Sequence, residues 1–165
     1  MASVIRYALI LVAAAALTSC RQADGTMPTP TQAAEDDIYD LSRDLQNVAG
    51  GNADAPAELA QDIHEYALDK APAKPAVDEL VRRTTGTIGG RMLSEQTARQ
   101  LAHSLWMTVA ARDLSERQIE TLQNDVRTIL ISTGVSEESA QQVAAQVGEV
   151  QLAVTDRQRR WYELF

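Results

Sequence analysis

The chain of 165 residues is 45% hydrophobic and 23% charged, which is ordinary for one globular domain or two small ones and excludes a wholly disordered chain. Acidic residues outnumber basic ones by 23 to 15, and the aromatic residues are one Phe, two Trp and four Tyr. Both features disfavour binding to nucleic acid through phosphates or base stacking. The single cysteine excludes an internal disulfide bond and a zinc site built from several thiolates.

The amino-terminal segment has the composition of a secretory signal. Its positive charge comes from the amino terminus and Arg6, and an unbroken apolar run follows over residues 7–17. A helix that spans a bilayer needs about 20 apolar residues, so this run is too short to be a permanent membrane span. Its length is typical of a signal-peptide core. We therefore expect residues 1–19 to be a signal peptide.

The apolar run ends in the sequence Leu17-Thr18-Ser19-Cys20, which resembles the lipobox of bacterial lipoproteins. The resemblance implies transfer of diacylglyceryl to the Cys20 sulfur, cleavage after Ser19, and often acylation of the new amine by a fatty acid such as palmitate. Two or more acyl chains anchor a protein stably, because each buried CH₂ contributes about 0.8 kcal/mol. Arg21, in place of the Asp typical of inner-membrane retention, favours the periplasmic face of the outer membrane. The alternative is an ordinary secretory signal with a coincidental cysteine.

Residues 20–32 are predicted to form the lipidated cysteine and a flexible tether, because Pro28 and Pro30 oppose a helix and no apolar period is present. Residues 33–165 are predicted to form an all-α domain, a small bundle of five or six helices, since Ala is abundant and no segment alternates with period two. The apolar periods predict a first helix over about 33–48, a second after the N-cap Asp54, and a third from about Pro75 to between Thr84 and Ile88.

The carboxyl-terminal half contains a repeat with a spacing of 21 residues. Its units begin Leu93-Ser94-Glu95, Leu114-Ser115-Glu116 and Val135-Ser136-Glu137, each of which is typical of an N-cap preceded by an apolar residue. A solenoid is one interpretation, but solenoid repeats are longer two-helix units, so we favour sequential helices of a compact bundle. A weaker copy of the repeat at residues 154–156 suggests that a further helix begins there, with Thr155 and Gln158 as a capping box. We favour instead one long helix over about 136–162, because apolar residues continue through it at near-heptad spacing; they are Val143, Val147, Val150, Val154 and Trp161.

Charge is distributed unevenly along the chain. Residues 21–80 contain 13 acidic and 4 basic side chains, whereas residues 81–165 contain 10 of each. We favour a solvated acidic surface, with a cationic partner as the alternative. Near the end, basic and aromatic side chains suggest either packing on the bundle or contact with a membrane or partner; they are Arg157, Arg159, Arg160, Trp161, Tyr162 and Phe165.

Few residues suggest a catalytic, metal-binding or ligand-binding site. His64-Glu65 lacks the second His of the helical zinc-protease motif. The glycine-rich segment Gly86–Arg91 lacks the Lys-Ser/Thr ending of a phosphate-binding loop, so we interpret this segment as an interhelical loop. One alternative function is a metal-assisted hydrolase at His64 and nearby acids. Another is a carrier of an apolar ligand near Trp106 and Met107, although such residues more often widen a core face. We interpret His103 as a boundary residue beside the apolar stripe.

From the sequence we therefore expect a membrane-anchored lipoprotein whose helical domain is not an enzyme. It is expected to have no catalytic residues, cofactor or metal, and to have one modified residue, Cys20. Its expected partners are the membrane, through that cysteine, and a protein or other component of the cell envelope.

Overall fold

A computed structural model describes residues 30–67, 74–111 and 114–162, with side chains as far as Val154. The predicted signal peptide, Cys20 and most of the predicted tether lie outside these residues, as do the side chains of the terminal arginine and aromatic cluster. Within the described ranges the fold is all-α, as predicted, and no strand is present. The helices are α1 (Gln32–Ala49), α2 (Ala55–Tyr66), α3 (Lys74–Ile88), α4 (Glu95–Ala110), α5 (Glu116–Ser132) and α6 (Glu137–Tyr162).

The helices form a bundle around one core. Helix α4 contacts α1, α2, α5 and α6, while α3 packs against α2 and α6. Because α6 reaches back to α3 and α4, the repeat units do not stack in a line as they would in a solenoid. The apolar stripes predicted from the sequence supply the core, and its largest fully buried side chains include Ile38, Leu41, Leu45, Leu59, Ile63, Leu80, Leu101, Leu105, Leu122 and Leu130.

Side-chain caps fix several helix starts. Thr31 begins α1 and Ser94 begins α4, each accepting a hydrogen bond from the backbone N–H three residues later. Ser115 is the N-cap of α5, as predicted, and it forms a capping box with Gln118. These caps satisfy backbone donors that have no partner within a helix.

The start of α2 differs from the prediction in its chemistry. Asp54 occupies the N-cap position, but its backbone is already helical and its side chain makes no capping hydrogen bond. The Asp54 N–H instead donates to Oδ1 of Asn52 at 3.1 Å. An N-cap usually needs an extended backbone to turn its oxygen toward the first turn, so Asp54 marks the predicted start of α2 but does not cap it through its side chain.

The predicted long carboxyl-terminal helix is confirmed. Helix α6 runs without interruption from Glu137 to Tyr162, so Thr155 lies inside it and does not begin a new helix. The side chains of Val143, Val147, Val150 and Val154 are all buried. Among the described residues, no helix combines the length and apolar composition that crossing a membrane requires.

The glycine-rich segment after α3 connects helices, as predicted, although α3 continues through Gly86 to Ile88. Arg91 then bridges two parts of the fold. Its Nε donates to the Thr87 carbonyl at 2.9 Å, and its Nη1 donates to the Gly134 carbonyl at 2.8 Å. The arginine thus joins the end of α3 to the turn between α5 and α6.

Candidate functional site

The most unusual group in the described fold is a pair of carboxyls between α1 and α2. Helical periodicity places Asp44 three residues after Leu41 and four before Val48, on the apolar side of α1. The Asp44 side chain is only 3% exposed. No donor within the described ranges reaches its Oδ2. The neighbouring carboxyl of Asp62 forms a hydrogen bond with Asp44 only when one member of the pair holds a proton.

This environment favours the protonated pair. Burial, the hydrogen bond with Asp62 and the Asp62 charge raise the pKa of Asp44 to about 6, and the Glu58 charge acts in the same direction. The Arg43 guanidinium opposes the shift, with its Nε 3.7 Å from Oδ1 of Asp44. Asp44 therefore gains or loses a proton in mildly acidic solution.

Acidic side chains continue across the surface next to this pair. Burial raises the pKa of the Tyr66 hydroxyl well above its usual range, with further contributions from the charges of Asp62, Asp37, Asp40 and Glu65. These charges disfavour a phenolate in their midst. The surface of α1 and α2 near Tyr66 is therefore strongly negative.

His64 has a different partner from those suggested by the sequence. Its Nε2 lies 2.7 Å from Oδ1 of Asp78 on α3. Lys74 donates to both oxygens of the same carboxylate, at 3.1 and 3.0 Å. The hydrogen bonds from Lys74 and then His64 lower the pKa of Asp78. A metal ion would have to compete with the ammonium, and the described residues contain no group of three or more His, Cys, Asp or Glu side chains that could hold one.

His103 lies in a groove between α4 and α5, with a volume of about 480 Å³. Burial raises the pKa of Asp125 in the same groove, and the charge of His103 partly offsets that shift. The Ser104 hydroxyl donates to the Gln100 carbonyl at 3.2 Å, and the Ser132 hydroxyl to the Ile129 carbonyl at 2.6 Å. Because these hydroxyls bond to their own helices, neither is hydrogen-bonded to His103 as an activated nucleophile would be.

The groove has a mixed lining. Polar side chains come from both helices, and the apolar contribution is from Ile129; the lining residues are Gln100, His103, Ser104, Asp125, Thr128, Ile129 and Ser132. Such a surface offers hydrogen-bond donors and acceptors together with one ionisable pair. It is chemically suited to binding polar groups of a partner.

Trp106 and Met107 widen the core face of α4. Met107 is buried, and Trp106 packs partly buried against the core. The Trp106 indole N–H donates to Oδ2 of Asp37 at 3.1 Å. This hydrogen bond and packing join α4 to α1, which is a structural role.

Comparisons with protein-family models, curated proteins and solved structures gave no match to this chain. Its own residues are therefore the basis for a functional proposal. Of the sequence-predicted candidates, Cys20 lies outside the described residues, while His64 and His103 lie in separate places. Sequence reasoning missed the Asp44–Asp62 pair, although an acid inside the apolar stripe of α1 was a signal for it.

Proposed function

We propose that this chain is a bacterial lipoprotein whose helical domain binds a protein or another component of the cell envelope without catalysing a reaction. The observation that carries the proposal is the position of Cys20. It is the single cysteine of the chain and follows an 11-residue apolar run and two small residues. That pattern matches attachment of acyl chains to the sulfur.

The start of the helical domain fits this arrangement. Helix α1 begins at Gln32, twelve residues beyond Cys20, and Thr31 caps it. Twelve extended residues span at most about 40 Å. We therefore place the domain within about 40 Å of the membrane surface. Arg21, in place of the Asp typical of inner-membrane retention, favours the periplasmic side of the outer membrane.

The helical domain favours binding over catalysis. In the groove between α4 and α5, the hydroxyls of Ser104 and Ser132 bond to backbone carbonyls. The groove has polar groups suited to a partner surface. We do not propose a metal-assisted hydrolase, because His64 faces a carboxylate already paired with Lys74. We do not propose a carrier of apolar ligands, because Trp106 packs on the core.

Substitution of the cysteine tests the anchor. In the native envelope, Cys20→Ser should leave an uncleaved precursor that takes up no labelled palmitate. Ser19→Ala is the matched control, because it keeps a small residue at the cleavage site and should mature normally. Normal maturation and labelling of the Cys20→Ser protein would contradict the proposal.

Site-specific photo-crosslinking tests the binding function. A photoreactive amino acid at Thr128, in the groove, should give a discrete crosslinked product in the native envelope. The same amino acid at Glu149, an exposed position of α6, is the control and should not give that product. The absence of a product from Thr128 and from other groove positions, in a correctly anchored protein, would refute a partner at this surface.

A further inference from the structure

The groove between α4 and α5 has two walls that follow from helical periodicity. Gln100 and His103 are three residues apart on α4, and Asp125 and Thr128 are three apart on α5, so each pair shares one helix face. The space between these faces has a volume of about 480 Å³, which is within the range of clefts that hold ligands. A side chain of a partner therefore fits between the two walls.

Asp125 gives the groove its negative charge. It is the only Asp or Glu among the lining residues, and none of them is Lys or Arg. The arginines next to lining positions have partners on other helices, because Arg99 donates to Glu35 of α1 at 2.7 Å and Arg127 pairs with Glu137 of α6. Partial burial also raises the pKa of Asp125. A cation that enters the groove would compensate the carboxylate for the water it has lost.

Neutral hydrogen-bond acceptors line both walls of the groove. They are the side-chain amide of Gln100 on α4 and the hydroxyl of Thr128 on α5, and neither side chain is hydrogen-bonded to another residue in the described part of the chain. Ile129 adds an apolar surface on α5. The groove therefore combines one carboxylate, an oxygen acceptor on each wall and an apolar contact.

We propose that this groove binds the side-chain ammonium of a lysine on the partner protein, with Asp125 as its counter-ion. The inference rests on the proposed function, because it names the group through which the envelope partner is recognised. An ammonium carries three N–H donors on one nitrogen, which suits acceptors that approach from two walls. A guanidinium presents a planar fork, which suits bidentate pairing with one carboxylate. The methylene stem of the lysine packs on Ile129.

Carbodiimide crosslinking of the protein in its native envelope tests the proposal directly. The reagent joins a carboxylate to an adjacent primary amine as an amide. Peptide mass spectrometry should identify an amide between Asp125 and a lysine of another protein. Glu120 is the internal control, because it lies on the same helix but lines a separate cavity between α5 and α6, and it should form no amide with that lysine.

Asp125→Asn measures how much the charge contributes to binding. A photoreactive amino acid at Ser132, which lines the groove, reports the partner without replacing a proposed ligand of the ammonium. In that protein, Asp125→Asn should lower the yield of crosslinked product by about tenfold, because a charge-assisted hydrogen bond is lost. Glu120→Gln removes the same charge from outside the groove and should leave the yield unchanged. Circular dichroism should show equal helix content in both variants, since both positions are exposed.

The outcomes separate the lysine site from the partner itself. If the Ser132 product persists, an unchanged yield in Asp125→Asn would overturn the lysine site and leave a partner at the groove. The absence of an Asp125–lysine amide in the wild type would do the same. If no groove position gives a product in a correctly anchored protein, the partner is refuted, and the lysine site with it.

Discussion

At the scale of single residues, hydroxyl groups determine where several helices begin. The Ser115 side chain accepts from the Gln118 N–H at 3.4 Å, and the Gln118 side chain accepts from the Ser115 N–H at 2.9 Å. Gln118 is buried in this position. The reciprocal bonds satisfy two backbone donors that a helix end otherwise leaves without partners.

Ser115→Ala should therefore lower the free energy of unfolding by about 1 kcal/mol, because it removes the hydroxyl that accepts from the Gln118 N–H in the capping box. Urea denaturation monitored by circular dichroism measures the change. Thr121→Ala is the control, since it removes a hydroxyl that bonds back to the Arg117 carbonyl within the same helix. That variant should change stability by less than about 0.5 kcal/mol, and an equal loss in both would argue against the cap.

The caps were predictable because they are local, and the carboxyl pair was not. Ser94 and Ser115 lie within three residues of the N–H groups they accept from, so sequence alone brings them together. Asp44 and Asp62 meet because two helices turn particular faces toward each other, which depends on the whole core. The same reason explains why the sequence alone does not reveal that His64 pairs with Asp78 on α3.

At the scale of elements, a helix ends where a residue enforces a backbone conformation. Gly134 has a φ of 81° and follows α5. Its N–H donates to the Ile131 carbonyl at 2.9 Å, and the Val135 N–H donates to the Leu130 carbonyl at 3.2 Å. This is a Schellman turn, which ends one helix and directs the chain into the next. The length of α6 was predictable too, because its buried valines maintain one register.

Gly134→Ala should lower the free energy of unfolding by about 1 kcal/mol, because a Cβ at positive φ is strained. Gly86→Ala is the matched control. Gly86 lies inside α3, and a Cβ there would meet no atom within 4 Å, so Ala should raise stability by up to about 1 kcal/mol. Opposite signs in chemical denaturation are expected, and a loss of stability in both would contradict this account of the turn.

At the scale of the whole molecule, negative charge is concentrated on two adjacent helices. Helices α1 and α2 carry eight Asp and Glu side chains against a single Arg and no Lys. They pack against each other, so their charges repel at short range. The amino-terminal charge excess read from the sequence is thus brought together by the fold, whereas residues 81–165 are balanced overall.

Salt should therefore stabilise the protein at about pH 7.5, where the acids are ionised. Raising NaCl from about 0.01 M to about 1 M shortens the Debye length from about 30 Å to about 3 Å. We expect the free energy of unfolding to increase by on the order of 1 kcal/mol. Salt weakens the repulsion between α1 and α2, and this gain should exceed the loss from weakened surface ion pairs, which contribute at most about 1 kcal/mol each.

Two variants with the same change of charge locate the repulsion. Glu65→Gln removes an exposed acid from α2 and should both raise stability in low salt and reduce the gain on adding NaCl. Glu149→Gln removes an exposed acid from α6, outside the acidic pair of helices, and should keep the wild-type response. If the two variants responded to salt alike, the repulsion would belong to the net charge of the chain and not to the contact between α1 and α2.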